Sequence, residues 1–167
     1  LDHYAYWRER YPQSVPLRNP GAFGENLSTE GLTEKNLCIG DILQIGEAVV
    51  QISQGRQPCF ILNAYMGIEG FSRKLQETRF TGWYYRVLEE GAIAPGDAVT
   101  LKERPCPKWS IDSVQYVLYE NRLDKKALKC LSELPFLSES WKNLFSKRLA
   151  IGEVEDWNAR LEGTSKK

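Results

Sequence analysis

Pro105 and Pro107 divide the chain into two kinds of text, and that switch constrains the fold more than any other feature. Ahead of them, short apolar runs alternate with polar residues: LCIGDILQI and AVVQIS across a Gly46-Glu47 turn, then GWYYRVLEEG and DAVTLKER around the Gly91 to Gly96 turn. That period suits half-buried strands, and the glycines at the breaks supply the turns. A helical stretch from Ile68 to Glu77 interrupts them. Strands separated by turns and one helical crossover read as a small barrel rather than a doubly wound sheet. After the prolines the spacing becomes helical. Ser110, Asp124 and Ser138 stand where N-caps stand, ahead of Ile111, Val114, Val117 and Leu118, of Ala127, Leu128 and Leu131, and of Trp141, Leu144 and Phe145. Helices of about 10 residues do not persist alone, so these three have to pack on one another or on the barrel.

The opening segment repeats Leu1, Tyr4, Trp7 and Tyr11 at helical spacing until Pro12 stops it. From Gln13 to Glu30 the chain is rich in Pro, Gly, Asn and Ser around the string AFGENLST, a loop of a length that tends to carry function. Charge gives no sign of a nucleic-acid partner: 12 basic residues face 13 acidic ones before Trp109, and 10 face 9 from it onward. A composition of 42% hydrophobic and 26% charged residues is that of an ordinary globular protein, and no apolar run approaches the roughly 20 residues of a membrane span. Cys38, Cys59, Cys106 and Cys130 form no Cys-x-x-Cys pair, and one histidine, His3, accompanies them. This argues against a zinc knuckle and against a disulfide framework, and the expected setting is a reducing cytoplasm. Leu1 is not an initiator methionine and LDHYAYWRERYP reads as helix interior, so the natural start is expected upstream.

The common catalytic strings are absent: no phosphate loop, no G-x-G-x-x-G, no H-E-x-x-H and no G-x-S-x-G. The segment with the most chemical content is SQGRQPCFILN, Ser53 to Asn63. Pro58 can start a helix there, which puts Cys59 in the first turn, with Arg56 three residues earlier. A thiol so placed favours the thiolate, a nucleophile and a ligand for thiophilic metals such as molybdenum, while Arg56 and free backbone N–H groups suit a phosphate or carboxylate. The competing reading makes Cys59 a small buried hydrophobe ahead of Phe-Ile-Leu. Phe23, Gly24, Glu25 and Asn26 could line a site or simply close a turn. Strand alternation sends Trp83 and Tyr85 to one face and Tyr84 and Arg86 to the other, one face being core. The remaining three cysteines are assigned to structure.

AFGENLSTEGL, IGDIL, QISQGRQPC and GWYYRVLEEGAIAPGDAV, in that order, resemble the MOSC domain, the module also found at the C-terminus of molybdenum cofactor sulfurases. The stretch from Ser110 to Leu149 resembles the three-helix extension of the YiiM-like branch of that family. The resemblance implies a mainly β fold, a MOSC-type β-barrel with short helical insertions over 1–108, followed by a three-helix domain over 109–150 and a tail over 151–167. It implies a pterin-based molybdenum cofactor (molybdopterin), with Cys59 as metal ligand and catalytic centre and Arg56, Gly24, Glu25, Asn26, Tyr84 and Arg86 as cofactor contacts. The implied activity is reduction, in a detoxifying role, of an N-hydroxylated base analogue such as 6-N-hydroxylaminopurine, with an electron-donor protein as candidate partner and neither nucleic acid nor membrane involved. Glu25 and Tyr84 are the candidate proton donors. Family members also carry an earlier His-Gly-Gly stretch and the first barrel strands. These have no counterpart before Leu1, and about 50 upstream residues are expected on the scale of a small closed barrel.

Two other functional classes stay open: a cofactor or sulfur carrier in which Cys59 docks the cofactor or takes a persulfide without turnover, and an interaction domain in which Cys59 has no chemical role. Arg56 and Arg86 are expected to face one anion-binding pocket. The helices from Ser110 to Leu149 are expected to be separable from it, so that a chain cut after Pro107 keeps its metal. The GTSKK end is expected to be a frayed tail.

Overall fold

The computed structural model of the protein describes residues 1–163 and shows two compact units, the first formed by 1–33, 57–81 and 155 onward, the second by 34–56 and 82–154. The expectation for GTSKK falls, from Thr164 onward, outside the described residues.

The first unit is helical. α1 (Asp2–Arg10) follows the predicted aromatic spacing, with Tyr4 and Trp7 buried. A single 3-10 turn, Pro16–Arg18, orders the long loop and buries Leu17. α2 (Ile61–Met66) and α3 (Phe71–Thr78) contribute Leu62, Met66, Phe71 and Leu75 to a core shared with Tyr4, Trp7, Leu17 and Ala22. Trp7 and Phe71 meet edge to face with ring centroids 4.9 Å apart, a geometry that adds about 0.5–1.5 kcal/mol to simple burial. α7 (Asn158–Glu162), within the stretch expected as tail, joins this unit and buries Leu161. One buried apolar residue in a five-residue helix leaves no periodicity to read.

The second unit holds an antiparallel sheet of order β3-β2-β1-β4, built from β1 (Ile42–Ile45), β2 (Ala48–Gly55), β3 (Trp83–Glu89) and β4 (Val99–Glu103). The β1–β2 hairpin pairs Ile45 with Ala48 across the predicted turn, where Gly46 takes φ 55°, a conformation glycine adopts without cost. β3 and β4 bracket the Gly91 to Gly96 turn in sequence but do not pair with each other; they are the two edges of an open sheet, which does not close into a barrel. Glu47 and Ala92 explain the separation: the Glu47 N–H donates to the Ala92 carbonyl at 3.0 Å, so the turn folds over the β1–β2 hairpin tip.

The three predicted N-caps are all in place. The Ser110 side chain accepts from Ser113 N at the start of α4 (Ile111–Tyr119), Asp124 from Lys126 N and Ala127 N at α5 (Lys125–Ser132), and Ser138 from Trp141 N at α6 (Glu139–Ile151). Each such cap contributes about 1 kcal/mol. These helices share the second unit with the sheet. Ile39 N–H donates to the Trp109 carbonyl and Ile111 N–H to that of Leu37, both at 2.9 Å, so the entry to α4 is bonded to the segment that leads into β1. Ile111, Val114, Leu118, Leu131, Trp141 and Phe145 are buried with Ile39, Leu43 and Ile52.

Candidate functional site

Arg56 and Cys59 sit on the irregular stretch between β2 and α2, and the chain passes from the second unit to the first between Arg56 and Gln57. Arg56 extends the ladder one step past β2, its N–H donating to the Gly82 carbonyl at 2.9 Å. Cys59 is a free, half-buried thiol. The expectation that Pro58 opens a helix with Cys59 in its first turn needs correction: α2 begins at Ile61, with Phe60 as its N-cap. A helix started at Pro58 would bond the Leu62 N–H to the Pro58 carbonyl. Arg160 takes that carbonyl through Nη1, and Leu62 N–H goes to the Cys59 carbonyl at 3.1 Å instead. Cys59 therefore lies two residues ahead of a six-residue helix, and the helix-dipole argument does not apply to it.

The loop residues Gly24, Glu25 and Asn26 lie in the first unit with Cys59. Gly24 N–H closes a turn onto the Gly21 carbonyl at 2.9 Å, and Gly24 and Asn26 are exposed. Glu25 is an acceptor hub: Oε1 receives the Tyr4 hydroxyl at 2.6 Å, Gly21 N–H at 2.7 Å and the Ser28 hydroxyl at 2.9 Å, and Oε2 receives Phe23 N–H at 3.0 Å. Burial would raise its carboxyl, but the Tyr4 hydroxyl, the backbone N–H groups and Ser28 together hold it below the ordinary carboxylate range. Burial and that same bond push the Tyr4 hydroxyl well above the usual tyrosine range. Glu25 thus fastens the loop to α1. The AFGEN string carries no sign of this, because the partner Tyr4 is 21 residues away.

Tyr84 and Arg86 are exposed on β3, and alternation is as expected: Trp83 and Tyr85 are half-buried and meet edge to face with centroids 6.3 Å apart. Arg86 Nη1 donates to Gln51 Oε1 of the paired β2 residue at 2.9 Å. Arg56, Tyr84 and Arg86 belong to the second unit. Of the structural thiols, Cys38 and Cys106 are held above the ordinary range, first by burial and then by the Asp41 carboxylate. Asp41 is fully buried and satisfied by Cys38 N–H at 2.9 Å and by Arg104, whose Nη2 lies at 2.7 Å.

A site residue that the sequence reading missed is Arg160, on α7. Besides Pro58 it binds Gln76 Oε1 through Nη2 at 2.6 Å, and its own carbonyl receives Phe60 N–H at 2.8 Å. Nothing local marks it; its partners lie 84 to 102 residues away.

An open antiparallel sheet whose second strand runs into an R-x-P-C string, followed by three capped helices, defines a MOSC-type protein, and the chain belongs to the MOSC domain family: that family's model matches residues 1–100, and the YiiM-like, 3-alpha helix domain matches 109–152. Its relatives include YflK of Bacillus subtilis, 42% identical over 147 residues, and YiiM of Escherichia coli, 35% identical over 162 residues. These alignments cover 88% and 97% of this chain, which spans 65% and 72% of the respective relatives. A protein of Gibberella moniliformis named as a reductase is 37% identical over 149 residues, covering 89% of this chain and 26% of its own length. The crystal structure of Escherichia coli YiiM superposes with a TM-score of 0.89 over 96% of this chain and 79% of that one. Among the described residues no helix is long and apolar enough to cross a membrane.

Proposed function

We propose that this chain binds a pterin-based molybdenum cofactor through Cys59 Sγ and acts as a reductase of N-hydroxylated compounds, 6-N-hydroxylaminopurine among them. The observation that carries the reading is a free, half-buried thiol in the R-x-P-C string of a MOSC-family chain. The donor set fits such a group. Among the described residues no three His, Cys, Asp or Glu side chains are arranged to hold a metal ion, so a metal held by Cys59 has to bring its other ligands with it, as a pterin dithiolene does. When bound, the cofactor supplies the two-electron chemistry that converts N–OH to N–H and water with two electrons and two protons.

The chain's own part is to present the single Cys59 sulfur and to meet the cofactor's anionic groups, for which Arg56 is the candidate by its place three residues ahead of Cys59. Glu25 keeps its loop in place through Tyr4 and the backbone N–H groups. The electrons come from a donor protein, and the working compartment is the cytoplasm.

Expression in cells that make the cofactor, followed by measurement of bound molybdenum and pterin, tests the proposal. Parent protein should carry both and reduce 6-N-hydroxylaminopurine with an artificial electron donor, and Cys59→Ser should lose both. A persulfide on Cys59 without molybdenum would instead make the chain a sulfur carrier, and an unaltered Cys59→Ser variant would leave only a binding domain.

A further inference from the structure

Cys59 lies between two peptide groups that are both held by one residue, Arg160. On its N-terminal side, Arg160 Nη1 donates to the Pro58 carbonyl. On its C-terminal side, the Phe60 N–H donates to the Arg160 carbonyl at 2.8 Å. The guanidinium is itself oriented by Gln76 Oε1, 2.6 Å from Nη2, on the buried face of α3. α7, which carries Arg160, is seated by Leu161: its side chain is 1% exposed, and its carbonyl accepts from Asn63 Nδ2 at 3.0 Å and Ser72 Oγ at 2.8 Å. Glu162 adds an ion pair to Arg73 at 2.6 Å.

Past Arg56, residues 57–59 belong to no helix or strand, so no ladder of backbone bonds fixes the thiol. A half-buried residue on such a stretch would sample several directions, and ordering it costs backbone entropy that some contact has to offset. A planar guanidinium suits this task because its fork reaches two acceptors at a fixed angle, here Pro58 and Gln76. We propose that Arg160 is a positioning residue that sets the direction of Cys59 Sγ, so that α7, which lies beyond the matched three-helix domain, forms part of the thiol's support. The proposal rests on the reading above only in giving that sulfur a metal to meet.

The test uses the full chain and two variants, Arg160→Ala and Arg160→Lys, with iodoacetamide labelling of each cysteine followed by mass spectrometry and amide exchange at Phe60. Loss of the charge-assisted bond to the Pro58 carbonyl should speed Cys59 labelling by about tenfold in Arg160→Ala, while exchange at Phe60, whose N–H donates to the backbone carbonyl that alanine keeps, should stay at the parent rate and show α7 still seated. Cys38 and Cys106, in the other unit, should keep their parent rates, and amide exchange at buried Trp7 in the first unit should stay at parent, which together separate release of the clamp from general destabilisation. Arg160→Lys, which cannot reach both acceptors at once, should give an intermediate Cys59 rate, and it carries the test if Arg160→Ala does not fold. Cys59 labelling within twofold of parent in Arg160→Ala would overturn the proposal, as would a parent Cys59 rate in Arg160→Lys. Molybdenum content distinguishes the two failures. If parent binds no metal and Arg160→Ala still frees Cys59, the ligand reading fails and the positioning role stands. If parent holds metal through Cys59 while Arg160→Ala leaves Cys59 labelling at the parent rate, the positioning role alone fails.

Discussion

Gly55→Ala tests whether the three helices are integral to the strand that leads to Arg56. Gly55 is the last residue of β2, and a Cβ built there would lie 2.5 Å from Gln115 Nε2 and 3.2 Å from both Ile111 Cγ2 and Trp141 Cη2. Gln115 and Ile111 are fully buried and Trp141 is 1% exposed, so none of the three has empty solvent to move into. The amide end of Gln115 is the softest of them, yet Ile111 and Trp141 must also give by a few tenths of an ångström. Overpacking of this kind costs about 1–3 kcal/mol. With a urea m-value of about 2 kcal/mol/M, the unfolding midpoint should fall by about 0.5–1.5 M at unchanged m. Gln115→Ala clears the nearest atom, so Gly55→Ala should cost less in that background, with a coupling of at least about 0.5 kcal/mol. Urea titrations of the four proteins by circular dichroism measure the cycle. A Gly55→Ala midpoint equal to parent, or strictly additive effects, would refute the packing argument.

Replacing Glu25 by Gln should destabilise the chain at neutral pH and flatten its acid limb: the native carboxyl titrates below 4.5, so the stability it contributes is present above that value and lost as pH falls through the native pKa. Thermal melts of both proteins from pH 7 to pH 3 check this. Cys38 and Cys106, whose thiols burial holds above 9.0, should alkylate more slowly at pH 7 than exposed Cys130 and should accelerate only in more alkaline buffer, as read by peptide mass spectrometry. Arg56→Ala should retain cofactor roughly 10 to 100 fold less well, measured by dilution and pterin fluorescence, at parent folding cooperativity. Against the expectation that the helices are separable, cutting the chain after Pro107 should abolish the second unit's cooperative transition, because it removes Ile111, Leu118, Trp141 and Phe145 from that unit; cutting after Val154 should keep that transition and lose the support of Cys59.

Local chemistry was legible wherever the determinant and its effect lie within a few residues. Ser110, Asp124 and Ser138 cap helices because their side chains reach N–H groups two or three positions on, and Gly46 marks its own turn. Strand existence was legible for the same reason, from alternation within each run. Strand order was not: β3 pairs with β2 and β4 with β1, and the register depends on partners 28 or more residues away. The start of α2 was misplaced on sound local grounds, since proline does favour a first turn. The competing term is a guanidinium 102 residues downstream that occupies the carbonyl such a helix would need.

Each end of the R-x-P-C string takes its contacts within its own unit. At Gly55 and Arg56 the fastening is the close approach of α4 and α6 to a residue without a side chain, together with the backbone bond from Arg56 to Gly82. At Pro58 and Phe60 it is Arg160 and α7. Apart from Gly82, these contacts come from chain that follows the sheet, at 111–141 and at 158–162. A short string can be recognised by its letters, but what holds a thiol in one direction is the long-range contacts on either side of it. Those contacts involve Gln115, Trp141 and Arg160, residues that, read in sequence, look like ordinary helix surface, core and tail. Variants in α7 that never touch Cys59 Sγ should therefore alter its reactivity.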